Sequence, residues 1–204
     1  MNTINQEITI FASNNPMMKF YSNYIVVFLL VLVLDFTMHN TDVGNSDKCT
    51  YKSYNDYNYT VGDKLLVPKI PRVICQPYFE QQIISDSLQV VVNFLKTHPD
   101  FQIELRSHTD YRDSDSNNYA LTQRNAKQYY DYLISKGIES ERVTPIGMGE
   151  SEPFIIDMCF YSKYPQFGIG DTLNRRFILN LKDKKDREAA HTINRRNEVV
   201  IVGM

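Results

Sequence analysis

The pattern of hydrophobic and polar residues predicts a strand, a helix and a second strand between residues 101 and 153. Ile103 and Leu105 alternate with polar residues at a period of two, which is typical of a strand. A polar loop over residues 108–118 follows, and apolar residues at helical spacing then predict a helix that ends at Gly137. A short strand over 142–146 completes a β–loop–α–β unit, and we expect its polar loop to face whatever the protein binds.

The same two periodicities predict the remaining elements. A predicted helix over residues 85–97 has one apolar face, and Pro99 follows it. That face consists of Leu88, Val91, Val92 and Leu95. Two further strands and two further helices are predicted at 65–67, 197–202, 171–181 and 182–191. Together the elements predict an α+β fold, a two-layer sandwich in which helices pack on one side of a small mixed sheet.

An apolar run near the N-terminus divides the chain into three predicted parts. Residues 25–34 are uninterrupted apolar residues that follow Lys19, a pattern typical of a secretory signal peptide and too short for a helix that spans a bilayer. We therefore expect an export signal or membrane segment over 1–36, a polar linker over 37–60 and one folded domain over 61–204.

Composition and charge narrow the possible functions. The 204-residue chain has a formal net charge of −2, which argues against general nucleic-acid binding, a function that needs a basic surface. Its three cysteines lack the spacing of a zinc site, and we expect neither a metal nor another cofactor. One disulfide is possible, but the sequence does not identify the pair. Neither Gly-x-Ser-x-Gly nor His-Glu-x-x-His occurs, and we expect a protein that is not an enzyme.

A series of short motifs resembles, in the same order, the OmpA-like peptidoglycan-binding domain. The motifs are His-Thr-Asp at 108–110, Leu-Thr-Gln-Arg-Asn-Ala at 121–126, Lys-Gly-Ile at 136–138, Arg-Val at 142–143, Gly-Met-Gly-Glu-Ser at 147–151 with Pro153, and Asn-Arg-Arg at 194–196. The resemblance covers about residues 60–204, and the stretch between Pro153 and Asn194 resembles the insertion of longer family members. It implies a periplasmic, outer-membrane-associated domain that binds peptidoglycan and connects it to envelope proteins.

The resemblance also implies a ligand with two opposite charges. Domains of this family hold the diaminopimelate of the peptidoglycan stem peptide, which presents one ammonium and one carboxylate. An aspartate suits the ammonium, and an arginine can donate two parallel hydrogen bonds to the carboxylate. Asp110 occupies the position of the family's aspartate; from its loop context alone, a turn or cap role is the alternative. The predicted binding residues are Asp110, Thr109, Arg112, Asn118, Arg124, Asn125, Arg195 and Arg196.

The arginine of the family motif is displaced in this sequence. Alignment on the leucine and alanine of the motif puts Asn118 at the loop asparagine and Asn125 at the arginine position. Shortening the loop by one residue puts Asn117 and Arg124 at those positions instead, seven residues apart and therefore on one helical stripe. We expect Arg124 to bind the ligand carboxylate in place of Asn125; the alternative is a solvated arginine on the surface.

Other charged residues near these positions bear on affinity. The family's usual glycine is replaced by Asp113, and Asp113 and Asp115 would repel a ligand carboxylate. We therefore expect weaker binding or a preference for amidated peptide. Arg112 either contacts the ligand or only adds solubility. Adjacent residues of a strand face opposite sides, so we expect one of Arg195 and Arg196 to line the pocket.

Two other functions stay open from the sequence. Asp35 at the end of the apolar run is compatible with a stator-like protein, one membrane helix followed by a wall-binding domain. The polar residues 37–42 that follow place Asp35 at an interface, which favours the border of a signal peptide instead. Asn125 and Asp113 are also compatible with a degenerate domain that serves as a protein-interaction module.

Overall fold

The computed structural model describes residues 49–68 and 77–204. All of them belong to one compact unit, Ser46–Met204. The predicted export signal or membrane segment over 1–36 and the stator-like alternative at Asp35 lie outside the described residues. Within the described part of the chain, every helix is too short or too polar to cross a membrane.

Five strands form one mixed sheet. The strands are β1 (Tyr51–Lys52), β2 (Lys64–Leu66), β3 (Gln102–His108), β4 (Val143–Gly149) and β5 (Asn197–Gly203). Their order in the sheet is β1-β2-β5-β3-β4. The pairs β1/β2 and β3/β4 are parallel, and β5 runs antiparallel to both of its neighbours, β2 and β3. This sheet, with helices packed on it, confirms the predicted fold class.

In the described part of the chain, five α-helices connect the strands. They are α1 (Pro77–Thr97), α2 (Asp115–Ser135), α3 (Met158–Lys163), α4 (Arg175–Asn180) and α5 (Lys184–Asn194), and a 3-10 turn at Ser140–Arg142 precedes β4. The predicted helix over 171–181 begins later than expected, because Thr172 pairs with Ile155 in an isolated bridge and Asn174 caps α4. The N-cap side chain accepts a hydrogen bond from Phe177 N at 2.9 Å.

The main core lies between the sheet and helices α1 and α2. Alternate residues of the strands point toward these helices, as a period of two requires. The core residues of the sheet are Leu65, Ile103, Leu105, Val143, Val199 and Ile201. The predicted apolar face of α1 is confirmed, because all four of its residues are buried. Full burial of such a side chain contributes about 1.5–3 kcal/mol, so this layer fixes α2 against the sheet.

The insertion between Pro153 and Asn194 has an apolar core of its own. Its buried residues are Phe154, Ile156, Phe167, Leu173, Ile178, Ala190 and Ile193. The buried Asn194 side chain closes the insertion, since its Oδ1 accepts from Phe154 N at 2.9 Å and its Nδ2 donates to Leu173 O at 2.7 Å. The asparagine of the Asn-Arg-Arg motif therefore has a structural role in this chain.

The described part of the predicted linker, residues 49–60, is attached to the folded domain. It contains β1, and Cys49 forms a disulfide with Cys159, a pair the sequence left open. Next to the disulfide, Thr50 N donates to Asp157 Oδ2 at 2.6 Å. Strand β1 thus attaches this segment to the sheet, and the disulfide attaches it to the insertion.

Helix α2 approaches β4 very closely at the end of the strand. A Cβ on Gly147 would lie 2.7 Å from Cα of Gln123, so only glycine fits there. The amide N–H of Gly147 donates to Gln123 Oε1 at 2.9 Å, and Gly149 N donates to Thr122 Oγ1 at 2.9 Å. The Gly-Met-Gly motif therefore sets the position of α2 beside the loop that follows β3.

Candidate ligand-binding site

The loop between β3 and α2 is fixed at both ends. At its start, Thr109 N donates to Gly149 O at 2.9 Å. At its end, Ser114 is the N-cap of α2, and its side chain accepts from Asn117 N at 3.3 Å. The predicted loop over 108–118 is too long by five residues, because His108 belongs to β3 and because this cap and an acidic residue in the first turn start the helix at Asp115.

Asp110 lies in this loop and is buried, with 4% of its surface exposed. Arg112 donates to it bidentately, from Nε to Oδ1 and from Nη2 to Oδ2, both at 2.9 Å. The backbone N–H of Arg112 also donates to Oδ1 at 3.1 Å, and Arg195 Nη1 donates to Oδ2 at 2.5 Å. An ionised carboxylate offers about four acceptor sites, so these four hydrogen bonds fill it.

The charge state of Asp110 follows from these contacts. Burial would raise the pKa of Asp110, but the hydrogen bonds from Arg112 and Arg195 outweigh that effect and hold the pKa below its ordinary value. His191 Nδ1 lies 3.7 Å from Asp110 Oδ1. Burial lowers the pKa of His191 in spite of this neighbouring carboxylate. At neutral pH the site therefore holds an ionised aspartate, two guanidinium groups and a neutral imidazole.

Helix α5 supplies the rim of the site. Glu188 accepts from Arg112 Nη1 at 3.3 Å through both carboxylate oxygens, and the Thr192 hydroxyl accepts from Arg195 Nη2 at 3.0 Å. The side chain of Arg112 is 45% exposed and that of Arg195 is 27% exposed. Both guanidinium groups can therefore reach a ligand in solution, while Asp110 lies behind them.

Asn118 supports the loop from beneath. It is buried, and its Nδ2 lies within hydrogen-bond distance of Asp110 O at 3.0 Å, Asp113 O at 3.2 Å and Glu150 Oε2 at 2.5 Å. These contacts support the alignment that puts Asn118, not Asn117, at the loop asparagine. Whether Asn118 also contacts a ligand stays a prediction.

The two candidates for the family arginine position lie on different sides of α2. The buried stripe of this helix comprises Asn118, Thr122, Ala126, Tyr129 and Leu133. At 100° per residue, Asn125 lies about 60° from the centre of that stripe and Arg124 about 160°. Accordingly, Asn125 is half-buried and Arg124 is exposed. We call Asp110, Arg112 and Arg195 the Asp110 cluster. The structure does not bring Arg124 to this cluster, and the role of Arg124 at the ligand stays a prediction.

A second charged cluster lies on the sheet face opposite the main core. Glu198 of β5 is fully buried. The Tyr51 hydroxyl donates to its Oε2 at 2.6 Å, and Arg196 Nε lies 3.4 Å from the same oxygen. On the other side, Oε1 lies 3.1 Å from His108 Nε2 and 3.6 Å from Lys64 Nζ. We call this group the Glu198 cluster.

The two arginines of the Asn-Arg-Arg motif separate between the clusters. Arg195 turns to Asp110, while Arg196 lies beside Glu198 and donates from Nε to the Tyr51 hydroxyl at 3.0 Å. Arg195 caps α5 and Arg196 precedes β5, so the divergence does not come from the strand alternation on which the expectation rested, and which arginine lines a pocket stays a prediction. The role of Arg195 at a ligand remains untested, as does that of Thr109, which is half-buried at the loop entrance.

The Glu198 cluster strongly perturbs ionisation. Burial would raise the pKa of Glu198, but His108, Arg196 and Tyr51 together hold it well below its ordinary value. Burial lowers the pKa of His108 and raises that of Tyr51. Glu198 is therefore an ionised carboxylate inside the protein, balanced mainly by the Arg196 guanidinium.

Three side chains of this region could geometrically hold a metal ion. His108, Glu152 and Glu198 each present a possible ligand atom, and these atoms lie within 4.8 Å of one another. Cationic groups compete for the same carboxylates, since Arg106 Nη1 lies 3.9 Å from Glu152 and Arg196 Nε 3.4 Å from Glu198. Their repulsion makes the position unfavourable for a divalent cation.

The sequence predictions missed several residues of these clusters, among them Glu188, His191 and Tyr51. Glu188 and His191 belong to α5, and nothing in a charged helix indicates which residues face a loop almost 80 positions earlier. Tyr51 lies in the segment interpreted as a linker. The alternation of Glu104, Arg106 and His108 with apolar residues did indicate that β3 has a polar face.

The fold therefore combines helices on a five-stranded mixed sheet with a charged loop after β3. Residues 81–158 match the model of the OmpA family, a stretch that includes Asp110, Arg112 and Asn125. The predicted resemblance is thereby confirmed for this part of the chain.

Two curated relatives carry the same name. The chain is 37% identical over 89 residues to outer membrane protein A of Salmonella typhi, and 40% identical over 89 residues to outer membrane protein A of Escherichia coli O157:H7. Each alignment covers 43% of this chain and 25% of the relative, so the chain matches about a quarter of the length of these proteins.

A solved structure is similar over a larger part of the chain. The peptidoglycan-associated lipoprotein from Burkholderia pseudomallei is 16% identical, with a TM-score of 0.38, and the similarity covers 68% of this chain and 88% of that one. At this identity and score the similarity bears on neither the fold nor the function.

Proposed function

We propose that this domain binds peptidoglycan without catalysis, on the periplasmic side of the cell envelope, and tethers an envelope component to the wall. The observation that carries the proposal is the Asp110 cluster, a buried carboxylate in the loop after β3 with two partly exposed guanidinium groups, Arg112 from the same loop and Arg195 from the end of α5. The match of residues 81–158 to the OmpA family supports it. The names of the relatives support an association with the outer membrane.

The ligand group that this cluster suits is the diaminopimelate of the stem peptide. Its free end carries an ammonium and a carboxylate on one carbon, so its binding site needs an anionic and a cationic side chain next to each other. Asp110 supplies the anionic side chain and Arg195 the cationic one, and the two groups lie 2.5 Å apart. Charge-assisted hydrogen bonds of this kind are among the strongest that a protein makes.

Arg195 is the arginine best placed to bind the ligand carboxylate. Its guanidinium is part of the cluster, whereas Arg124 projects from the exposed side of α2 and Asn125 carries no charge. We therefore propose that Arg195 replaces the arginine missing at position 125. Arg124 contacts the ligand only if its side chain reaches around the helix.

The test is co-sedimentation of the full chain with insoluble peptidoglycan. Wild type is compared with Asp110→Ala, Arg195→Ala and Arg124→Ala, and with Arg176→Ala as a control of equal charge change on the exposed surface of α4. Loss of a hydrogen bond to a charged group costs about 1.5–3 kcal/mol, which is roughly a ten- to hundredfold loss of affinity. We expect that loss for Asp110→Ala and Arg195→Ala, and wild-type binding for Arg176→Ala.

The ligand group is tested by competition and by exchange of the wall. Free meso-diaminopimelate should release the bound protein, whereas a soluble stem peptide with lysine, whose side chain carries an ammonium but no second carboxylate, should release it poorly. Peptidoglycan with lysine in the stem peptide should bind weakly for the same reason. Equal binding to both walls would rule out recognition of diaminopimelate but not of peptidoglycan. If wild type stays in solution with either wall, the fold serves instead as a protein-interaction module.

A further inference from the structure

The loop that carries Asp110 also carries a competitor for any cation that approaches it. Arg112 is two residues further on and donates from Nε, Nη2 and its backbone N to the two oxygens of that carboxylate. Together with Arg195 Nη1 these donors occupy the acceptor sites of Asp110. A ligand ammonium therefore reaches Asp110 only after one of the two guanidinium groups withdraws.

Exposure and packing indicate which guanidinium withdraws. The side chain of Arg195 is the more buried of the two, and the Thr192 hydroxyl holds its second nitrogen at 3.0 Å. The side chain of Arg112 is 45% exposed, so water can solvate it as it leaves. Its Nη1 already contacts Glu188, whose side chain is 52% exposed, at 3.3 Å. Glu188 can keep the guanidinium at the rim once the bonds to Asp110 are broken.

We propose that Arg112 occupies the ammonium position on Asp110 in the free protein and that the ligand binds by displacing it. This inference rests on the proposed function and names the residue that sets specificity at the same site. A ligand must supply a compact primary ammonium strong enough to replace a bidentate guanidinium. A ligand with a neutral or acylated amine has no means of displacing it.

The competition has a quantitative consequence. When only a fraction of the protein has Asp110 free of Arg112, the apparent affinity is reduced by that fraction. Removal of the competing guanidinium should therefore tighten binding, whereas removal of a ligand contact would weaken it. The sign of the change separates the two roles.

The experiment measures the affinity of the full chain for soluble stem-peptide fragments that contain diaminopimelate. Wild type is compared with Arg112→Ala, Arg112→Lys and the exposed control Arg176→Ala. We expect Arg112→Ala to bind about fivefold more tightly, an effect of the size of a partly exposed ion pair. Arg112→Lys should lie between the two, because an ammonium cannot make the bidentate contact. The control should bind like wild type.

A second readout follows the guanidinium itself. The Nε–H proton of Arg112 is hydrogen-bonded to Asp110 in the free protein and should exchange slowly with water. On addition of the fragment its NMR signal should shift and its exchange should accelerate, while the Nε–H signal of Arg195 changes less in exchange rate. This readout remains available if a substitution at position 112 impairs folding.

The outcomes separate this inference from the proposed function. Suppose that wild type binds and Asp110→Ala does not, but that Arg112→Ala binds no more tightly than wild type. Arg112 then either contacts the ligand or has no role in binding. In that case the displacement inference is overturned, while the proposed function stands. An unchanged Nε–H signal of Arg112 on ligand binding overturns the displacement inference as well. If wild type, Arg112→Ala and Arg112→Lys all fail to bind, the proposed function fails and the inference fails with it.

Discussion

The two charged clusters of this domain use adjacent arginines but differ in their access to solvent. Next to Asp110, the side chain of Arg112 is 45% exposed. Next to Glu198, the side chain of Arg196 is 8% exposed, and that of Glu198 itself is fully buried. Both carboxylates are ionised and both have cationic partners. The difference teaches that burial, and not the choice of residues, separates an ion pair that can exchange partners from one that cannot.

The physical reason is the cost of separating charges inside the protein. Near the surface, water solvates a departing guanidinium, and such pairs contribute at most about 1 kcal/mol. In the interior, removal of one partner leaves an uncompensated charge, at a cost of about 3–5 kcal/mol. We therefore assign binding to the Asp110 cluster and stability to the Glu198 cluster, and four predictions test that division.

The largest effect is expected for Glu198→Ala. It leaves Arg196 buried beside Tyr51 without its carboxylate, and we expect the free energy of unfolding to fall by about 3–5 kcal/mol. Urea unfolding followed by circular dichroism measures it. The matched control is Glu104→Ala on β3, which removes the half-buried pair with Arg106 and should cost about 1 kcal/mol or less. Equal losses for both variants would contradict a special role for the buried cluster.

The adjacent arginines should respond in opposite ways. Arg196→Ala leaves Glu198 with Tyr51, His108 and Lys64 as its nearest partners, so we expect a loss of about 2–4 kcal/mol in the free energy of unfolding. Arg195→Ala leaves Asp110 paired with Arg112 and should cost about 1 kcal/mol or less. In sedimentation with peptidoglycan, folded Arg195→Ala protein should lose more binding than folded Arg196→Ala protein. An Arg196→Ala protein that stays stable but no longer binds would indicate that the ligand binds at the Glu198 cluster instead.

The dependence of stability on pH should reveal both clusters. Burial lowers the pKa of His108 and His191, so the unfolded chain binds these protons more tightly than the folded protein. Stability is therefore fully present above the unfolded value of about 6.5 and falls as the pH drops below it, by up to about 1.4 kcal/mol per pH unit for each proton.

The carboxylates extend the same trend to lower pH. The pKa values of Glu198 and Asp110 are lowered in the folded protein, so their contribution is present above the unfolded value of about 4 and is lost as the pH falls through the folded value. Urea unfolding at several pH values between 8 and 3 measures both. His108→Gln should flatten the profile between pH 7 and 5 more than His191→Gln, whose imidazole is nearer the surface. A flat profile in wild type would show that neither histidine is buried neutral.

The smallest effect concerns the acidic residues at the loop rim. Asp113 is exposed and accepts from Ser114 N at 2.7 Å and Asn117 Nδ2 at 2.9 Å, contacts that lower its pKa. Its negative charge should repel a free ligand carboxylate, so amidated stem peptide should bind more tightly than the free acid. We expect Asp113→Asn to reduce that preference by a factor of at most about five, measured by titration with both peptides. Equal affinity of wild type for the two peptides would remove the basis of this prediction.

The position of the site on the fold followed from local patterns. Alternation along β3 and the glycines at the end of β4 are short-range signals, and together with the motifs they placed Asp110 in the loop after β3. The helix start was wrong by four residues because the N-cap at Ser114 was read as part of the loop. The choice between Asn117 and Asn118 stayed open, because only packing shows which side of a helix is buried.

The sequence by itself determined most of the elements and their order, though not β1 or α3, together with the fold class and the resemblance to the OmpA family, because periodicity and motifs act over a few residues. Only the tertiary structure decided that Arg195 contacts Asp110 from 85 positions away and that Cys49 pairs with Cys159 over a separation of 110 residues. The hydrogen bond from Tyr51 to Glu198 likewise depends on the tertiary structure. The tertiary structure also gave the adjacent arginines opposite surroundings. Such contacts depend on how the insertion and β1 pack against the sheet, and no short stretch of sequence encodes the distance between two side chains that folding brings together.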